Sequence, residues 1–524
     1  MNATSSRDLG KDRLYKIVCD GMCIGCGLCA SLAGPEKIRM AFVRNGDLRP
    51  HDTGTLSQEL VDEIYDLFPS TRLDGLPPNL QGTGTIVDPI WGPYLAMWTA
   101  HATAPDTRIK AATGGVITAL CRLLLVQGRV EFILQAAPSP DRHTAGLAQF
   151  SRSSQDLHRT TGSIYGPGSV LERLREALDL NQPFALVGKP GDLAAARNLA
   201  RREPRVHQLV RYWLTPVYGG YVPPKRTEEF LAERDVDPAT LTGFKYRSDG
   251  CPGDTEWQTS TGQSGAASMM DLHGDDGEAT CALPLRCKLC PDGPGESADI
   301  AAGDQWVYDV LDPKLAGSDP RYNAVIVRTE ISQELFEEAC KAGYLTVDGA
   351  ITPEFYDTCQ HHHVTKKRVM RVRCDAALAL GHTVPRSTGL LLDAMASRES
   401  NGTYYTQFEG AIFFNHRDGA TCDIFLAQAY LDAAAAAELG VGTAVSFRRR
   451  TIMPLVKIEM FEGRTQAQKK AVAKGICEVF REVLGGSPDH SWIIFEDRSR
   501  DQWFVGPNSQ TEINAKRQAA GGDD

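Results

Sequence analysis

The chain has 524 residues, 42% hydrophobic and 23% charged, and a formal net charge of −10 at pH 7. That length suits roughly two to four domains of about 150 residues each, and the acidic balance argues against a general nucleic-acid surface. No apolar run approaches the ~20 residues of a membrane span, and the opening MNATSSRDLGKDRLYKI lacks the apolar core of a secretory signal. A cytoplasmic chain is expected, its 14 cysteines serving as metal ligands or buried thiols in a reducing compartment.

Residues 1–85 read as short strands and Gly/Pro turns around one cysteine loop, CIGCGLC (23–29). Cys23, Cys26 and Cys29 stand at C-x2-C-x2-C spacing, with Cys19 four residues upstream. Gly25 and Gly27 let the backbone wrap tightly and turn amides toward a bound anion. Ferredoxin-type loops hold three corners of an iron–sulfur cube at this spacing. A cube takes four ligands, so Cys19 is the candidate fourth. A zinc site or a loop without metal are the alternatives. The segment LDGLPPNLQGTGT (73–85) reads as a linker.

From 86 to about 395 strands alternate with helices, which implies a layered α/β or α+β domain. Gly114-Gly115 opens an apolar helix, VITALCRLLLVQG, followed by the strand RVEFILQAA. PFALVGKPGDLAAARNLARR reads strand, turn, helix, and NAVIVRT (323–329) a buried strand before the helix ISQELFEEACKAG. A second cysteine pair, Cys287-Lys-Leu-Cys290, precedes Pro291 and Asp292. A lone CxxC serves zinc, a redox disulfide or a cluster equally well, and Cys251 and Cys281 are the thiols that could complete four. Cys121, Cys340, Cys374, Cys422 and Cys477 read as simple core or surface thiols. His361-His362-His363 reads as a polar loop, and Lys366, Lys367, Arg368, Arg371 and Arg373 as a solvated helix face, with contact to a cofactor phosphate as the alternative.

Residues 396–452 carry no assignable role beyond a linker, and Arg448-Arg449-Arg450 reads as an exposed junction. Residues 453–510 form a compact β-α-β unit. Val456, Ile458 and Met460 alternate with Lys457 and Glu459 as a half-buried strand does. Thr465 with Gln468 makes a capping box. Val472, Ile476, Val479, Phe480, Val483 and Leu484 make a helical stripe, and SWIIFED (491–497) a second strand. A unit of about 55 residues buries little core alone, so it is expected to associate with copies of itself. The tail 511–524 reads as disordered.

Seven segments in order resemble the coenzyme F420 hydrogenase/dehydrogenase beta-subunit family: CIGCGLC (23–29), ATGGVITAL (112–120), GSIYGPGS (162–169), FALVGKPGDLAAARNL (184–199), TGFKYR (242–247), CKLCPD (287–292) and ADIAAGD (298–304). The resemblance covers about residues 15–390. It implies an iron–sulfur flavoprotein with FAD and one or two 4Fe-4S clusters, passing electrons between a donor such as ferredoxin and a small organic substrate or deazaflavin. Thr113, Gly114 and Gly115 would then cradle a phosphate or admit the isoalloxazine, with an ordinary helix cap as the alternative. Ser163, Tyr165 and Gly168 would form a second cofactor wall, Lys189 would stabilise reduced flavin, and Asp299 and Asp304 would lie near cluster and cofactor. Family members commonly carry cysteine where this chain has Phe68, Gly191 and Tyr218. The first cluster is therefore expected on Cys19, Cys23, Cys26 and Cys29, while the second, at Cys287 and Cys290, lacks two thiolates.

The unit beginning Met453-Pro454 and including Arg464 resembles the 4-oxalocrotonate tautomerase family over about 454–506. In that family the proline is the free N-terminus and general base, a role that Pro454 matches, and Arg464 matches the substrate-carboxylate arginine. Trp503 would line the pocket; a second arginine falls on Trp492, with Arg498 or Arg500 nearby. Inside this chain the Pro454 nitrogen is a tertiary amide and no base. The unit is thus either active only after processing or a silent module for assembly.

The expected architecture is multidomain α+β or α/β, with a small ferredoxin-like iron–sulfur segment, an α/β flavin-binding domain and a C-terminal β-α-β unit. The expected activity is flavin- and iron–sulfur-dependent oxidoreduction. Tautomerisation of an unsaturated keto acid, or a degenerate partner subunit, are the alternatives.

Overall fold

The computed structural model describes residues 8–249, 253–273, 283–305, 321–379 and 381–396, and the stretches 455–461, 465–466, 468–470, 473–474, 492–498, 504–505 and 508–509. The chain divides into two compact units, Met1–Thr421 and Cys422–Asp524.

The first unit is built on an eight-stranded sheet. In spatial order its strands are Leu345–Ala350, Ala96–Ala102, Asn323–Val327, Ile300–Asp304, Val210–Pro216, Phe184–Val187, Phe132–Pro138 and Gly146–Ser151. The four from 300–304 to 132–138 run parallel, and the flanking pairs are antiparallel. Asn323–Val327 is buried at all five positions, as its β-branched run demands between two covered faces.

Strand alternation sorts the core into two layers. Phe132, Leu134, Phe184 and Leu186 point to one face, where Leu193, Ala195, Ala196 and Leu199 of the Pro190–Ala200 helix cover them. The Phe132 and Phe184 rings stack there at 5.0 Å. Ile133, Ala185, Leu214 and Ile300 point to the other face, against the helices Val116–Val126 and Glu330–Lys341. Each large side chain so buried contributes about 1.5–3 kcal/mol. The strands and helices expected across 116–138, 184–200 and 323–341 are all present.

The N-terminal region is more helical than its turn-rich sequence suggests. Helices span Asp8–Cys19, Leu28–Ala33 and Gln58–Leu67, around a hairpin of Ile38–Phe42 and Leu48–Asp52. The third helix follows from a pattern underweighted in the sequence: Val61, Ile64 and Leu67 form its buried stripe, and Ser57 caps it by accepting from Leu60 N at 3.3 Å. Arg72–Asp74, at the start of the expected linker, pairs in parallel with Arg386–Thr388.

Two further expectations are corrected. His361-His362-His363 opens the helix His361–Arg368 rather than forming a polar loop, and His363 is buried. The basic stretch is a solvated face only in part: Arg368 and Arg371 are exposed, while Lys366 and Lys367 turn inward. Lys367 is 2% exposed, paired with buried Glu296, and donates to the Ile90 carbonyl at 3.0 Å. Lys366 donates to the Cys287 carbonyl at 3.1 Å. Helical periodicity carries these two lysines inward against the CxxC segment, which composition alone does not reveal.

In the second unit, Leu455–Phe461 pairs in parallel with Trp492–Arg498, from Leu455 opposite Trp492 to Phe461 opposite Arg498. The capping box forms as expected: Thr465 N donates to Gln468 Oε1 at 2.9 Å and Gln468 N to Thr465 Oγ1 at 3.3 Å. Pro454, Arg464, Arg500, Trp503 and the stripe from Val472 to Leu484 lie outside the described residues. No helix among the described residues is long and apolar enough to cross a membrane.

Candidate functional site

In open α/β sheets the crevice outside the carboxyl ends of the parallel strands is the usual ligand position. Here the chain leaves those ends at Val187, Pro216 and Asp304. Lys189 and Gly191 follow the first, Tyr218 and Tyr221 the second. A pocket of about 510 Å³, counted to its open mouth, is lined by these residues together with Cys23, Arg286, Cys287, Cys290 and Lys366.

The cysteine loop is wound by its glycines. Gly25 and Gly27 have φ of 67° and 87°, conformations that other residues adopt at a cost. A Cβ on Gly27 would come within 2.7 Å of Glu172 N, and one on Gly25 within 2.7 Å of the Leu48 carbonyl. The loop docks on the 162–171 segment: Ser169 Oγ donates to the Gly25 carbonyl at 2.8 Å, and Leu171 N to the Cys26 carbonyl at 2.9 Å. Two of the motifs singled out in the sequence are therefore in contact.

Cys23, Cys26 and Cys29 are buried. Burial pushes all three thiols up, Cys26 to about 12. They are protonated at neutral pH without a metal, and ligation must displace those protons. Cys19, the expected fourth ligand, is exposed at the end of its helix. Phe68 packs instead into the same apolar core as Cys23 and Cys29. Among the described residues no group of three or more His, Cys, Asp or Glu side chains stands in a metal-holding arrangement. The donor chemistry of the loop fits three corners of a cluster in kind and number. At the second site Cys287 and Cys290 share the pocket wall with Gly191 and Tyr218, which offer no thiolate. A four-thiolate set is not present there among the described residues; Cys251 and Cys281 lie outside them.

The flavin candidates form a row at the end of the sheet. Asn323 is the link: its Nδ2 donates to Thr113 Oγ1 at 2.5 Å and to the Gly303 carbonyl at 3.1 Å, and its Oδ1 accepts from Val116 N at 3.2 Å. Across the ladder Asn323 stands opposite Asp304. Asp304 pairs with buried Arg247 at 3.1 Å, and Arg247 Nη1 donates to the Tyr165 hydroxyl at 3.3 Å. Burial raises the Asp304 carboxyl, and the Arg247 charge opposes that shift. A Cβ on Gly114 would meet Asn323 N at 2.8 Å, so close packing against the sheet already accounts for that glycine. Gln305 keeps a buried amide oxygen with no hydrogen-bond partner. This polar row and its orphan acceptor fit one wall of a cofactor site.

Lys189 is placed apart from the row. Its Nζ pairs with buried Asp192 at 3.0 Å and donates to the Gly168 carbonyl at 3.3 Å. Asp299 is occupied structurally, pairing with Arg197 at 3.1 Å and accepting from Trp213 N at 2.9 Å. Ser163 is half-buried in the same segment as Tyr165. Asn323, Arg247 and Arg286 are not singled out by the sequence, although the structure brings them to these candidate residues. A polar residue heading an otherwise apolar strand was the signal for Asn323.

Sheet, cysteine loop and pocket define a layered α/β scaffold, and a second unit carries a parallel strand pair. The family comparisons agree with it. Residues 97–175 and 182–352 match the N-terminal and C-terminal models of the coenzyme F420 hydrogenase/dehydrogenase beta subunit, and 454–512 match the tautomerase enzyme model. Residues 97–352 thus carry the N- and C-terminal domains of that beta subunit, and the C-terminal end carries a tautomerase-family unit. The F420-dependent formate dehydrogenase 1 subunit beta of Methanococcus maripaludis is 29% identical over 256 residues, 48% of this chain and 60% of that protein. The chain thus spans about 60% of that relative's length. A probable tautomerase of Bacillus cereus is 35% identical over 54 residues, 10% of this chain and 88% of that protein. The 2-hydroxymuconate tautomerase of Bacillus subtilis is 32% identical over 53 residues, 10% of this chain and 86% of its own. A chain of the F420-reducing nickel–iron hydrogenase complex from Methanosarcina barkeri aligns with a TM-score of 0.43 and 17% identity, covering 57% of this chain and 98% of that one.

Proposed function

We propose that the chain is an electron-transfer oxidoreductase holding an iron–sulfur cluster on Cys23, Cys26 and Cys29, and FAD along the Thr113–Asn323–Asp304–Arg247–Tyr165 row. The observation that carries this reading is the docking of the thiol loop onto the 162–171 segment, whose Tyr165 reaches that row. A cluster supplies single-electron chemistry and a flavin two-electron chemistry. The chain's own residues bury the three thiols, orient the loop through Ser169, and fix the charge of Asp304 against Arg247. The electron donor is a small protein such as ferredoxin or a partner subunit, and the acceptor a small organic molecule or deazaflavin. The place of action is the cytoplasm.

Anaerobic purification with iron, sulfide and flavin analysis tests this. Bound iron lost in Cys26→Ser, and flavin released as FAD on denaturation, are expected. A colourless protein lacking both after reconstitution would sink the reading.

A second reading concerns the C-terminal unit. Its parallel strand pair and its relatives, matched over most of their length, support a tautomerase acting on an unsaturated keto acid. Proline-base chemistry requires a free Pro454 nitrogen and Arg464 for the substrate carboxylate; the unprocessed unit serves only assembly with further copies. Intact-mass measurement decides. A chain that stays whole, with ketonisation unchanged in Pro454→Ala, excludes the proline base.

A further inference from the structure

Among the described residues, Cys287 and Cys290 share their pocket with one further thiol, Cys23, which the proposed first cluster takes, while Gly191 and Tyr218 offer none. The local backbone suits a different chemistry. Cys290 N donates to the Cys287 carbonyl at 3.4 Å, closing an i,i+3 turn. Such a turn keeps its end Cα atoms within about 7 Å, and a disulfide closes over about 4.4–6.8 Å. The two thiols are unequal: Cys287 is buried and Cys290 is partly exposed to the pocket.

The charges around them are positive. Lys366 lies on the turn, bonded to the Cys287 carbonyl at 3.1 Å. Arg286 lines the same pocket, is 1% exposed, and keeps Nε and Nη1 without a hydrogen-bond partner. A buried guanidinium with two idle donors favours an anion beside it. Reactive cysteines characteristically sit in such electropositive, partly exposed surroundings.

We propose that Cys287 and Cys290 are a redox-active dithiol that reduces a low-molecular-weight disulfide in this pocket, instead of ligands to a second cluster. The Cys290 thiolate attacks one sulfur of R–S–S–R, forming a mixed disulfide and displacing one R–S⁻. The Cys287 thiolate then attacks Cys290 Sγ, displacing the second R–S⁻ and closing the Cys287–Cys290 disulfide. The two protons given up by the cysteines pass to the two thiolates released. Two electrons leave the dithiol and two enter the substrate. Lys366 and Arg286 stabilise the thiolates. Cys287 is buried and Cys290 only partly exposed, which favours a small disulfide over a protein one.

The test uses the full chain, equilibrated anaerobically in mixtures of reduced and oxidised dithiothreitol, quenched in acid and alkylated with N-ethylmaleimide. Loss of alkylation at Cys287 and Cys290 in oxidising mixtures, reversed on reduction, is expected. With hydroxyethyl disulfide as probe, Cys287→Ser should stall as a mixed disulfide on Cys290, and Cys290→Ser should form none. Full alkylation of both residues in every mixture overturns the proposal. So does a reconstituted Cys287→Ser chain that loses about four iron atoms, one cluster's worth. The iron content of Cys26→Ser reports on the first site separately, so failure of either reading is visible without the other.

Discussion

Arg286 donates Nη2 to the carbonyl oxygen of Pro69 at 3.0 Å, tying the CxxC turn to the residue that follows Phe68. The two thiol sites are thus joined by one buried guanidinium. A hydrogen bond from a charged donor is worth about 1.5–3 kcal/mol, but each buried unpaired N–H costs about 1–3. Arg286 has one bond of the first kind and two idle nitrogens. The idle nitrogens together cost about 2–6 kcal/mol against about 1.5–3 for the one bond, so Arg286→Met is expected to leave stability unchanged or raise it, where breaking a fully paired buried charge costs about 3–5. Urea unfolding measures this. The same variant should alkylate more slowly at Cys287, because burial pushes that thiol up and Arg286 is one of the cations that oppose the shift.

Phe68 shares its apolar core with Cys23 and Cys29. Phe68→Cys would place a fourth thiol there. Removing a buried ring costs about 3–5 kcal/mol in a chain without metal. The metal-free variant should melt well below the parent and recover after anaerobic reconstitution, with more iron retained on exposure to air. Cys19→Ser should leave iron content unchanged, because Cys19 is exposed. Iron lost with Cys19 would reinstate it as the fourth ligand.

Asn323 makes three side-chain hydrogen bonds while almost fully buried, two as donor and one as acceptor. Asn323→Ala leaves Thr113 and the start of the Val116–Val126 helix without them. At about 1 kcal/mol per net bond, with a further penalty for orphaned groups, a loss of about 2–4 kcal/mol is expected. Asn323→Asp should lose at least as much, since it keeps the acceptor for Val116 N but sets a buried carboxylate oxygen against the Gly303 carbonyl, where Nδ2 donated. Chemical denaturation of both variants checks the order.

The alternating and helical apolar patterns made three of the eight strands, 132–138, 184–187 and 323–327, and the three covering helices legible from sequence. The 323–327 strand and the 330–341 helix follow directly from side-chain spacing. The thiol loop was legible because glycine and cysteine carry strong local constraints. Its surroundings were not. Lys366 and Lys367 read as solvent-facing until the fold places them against Cys287 and Glu296. Arg247 and Asp304 are 57 residues apart, and no local pattern announces such a pair. Buried charge depends on tertiary partners, so composition assigns it to the surface by default.

Asp292 shows the same point in its pH dependence. It follows the CxxC pair, is fully buried, accepts from Glu296 N at 2.5 Å through Oδ1, and has no partner at Oδ2. Burial, and then the neighbouring Glu296 charge, push its carboxyl up to about 7. The folded value lies above the unfolded one, so below about pH 4 both states are protonated and nothing is lost. As pH rises toward 7 the unfolded chain sheds this proton first, and stability falls with pH. Asp292→Asn removes the ionisation. The stability of the variant relative to the parent should therefore rise between pH 5 and 8, by about 2 kcal/mol at 1.36 kcal/mol per unit. Paired urea titrations at the two pH values measure the gap. A gap independent of pH would mean that Lys367 and Arg328 already hold Asp292 ionised in the folded chain, and that the buried pair Glu296–Lys367 does not repel it.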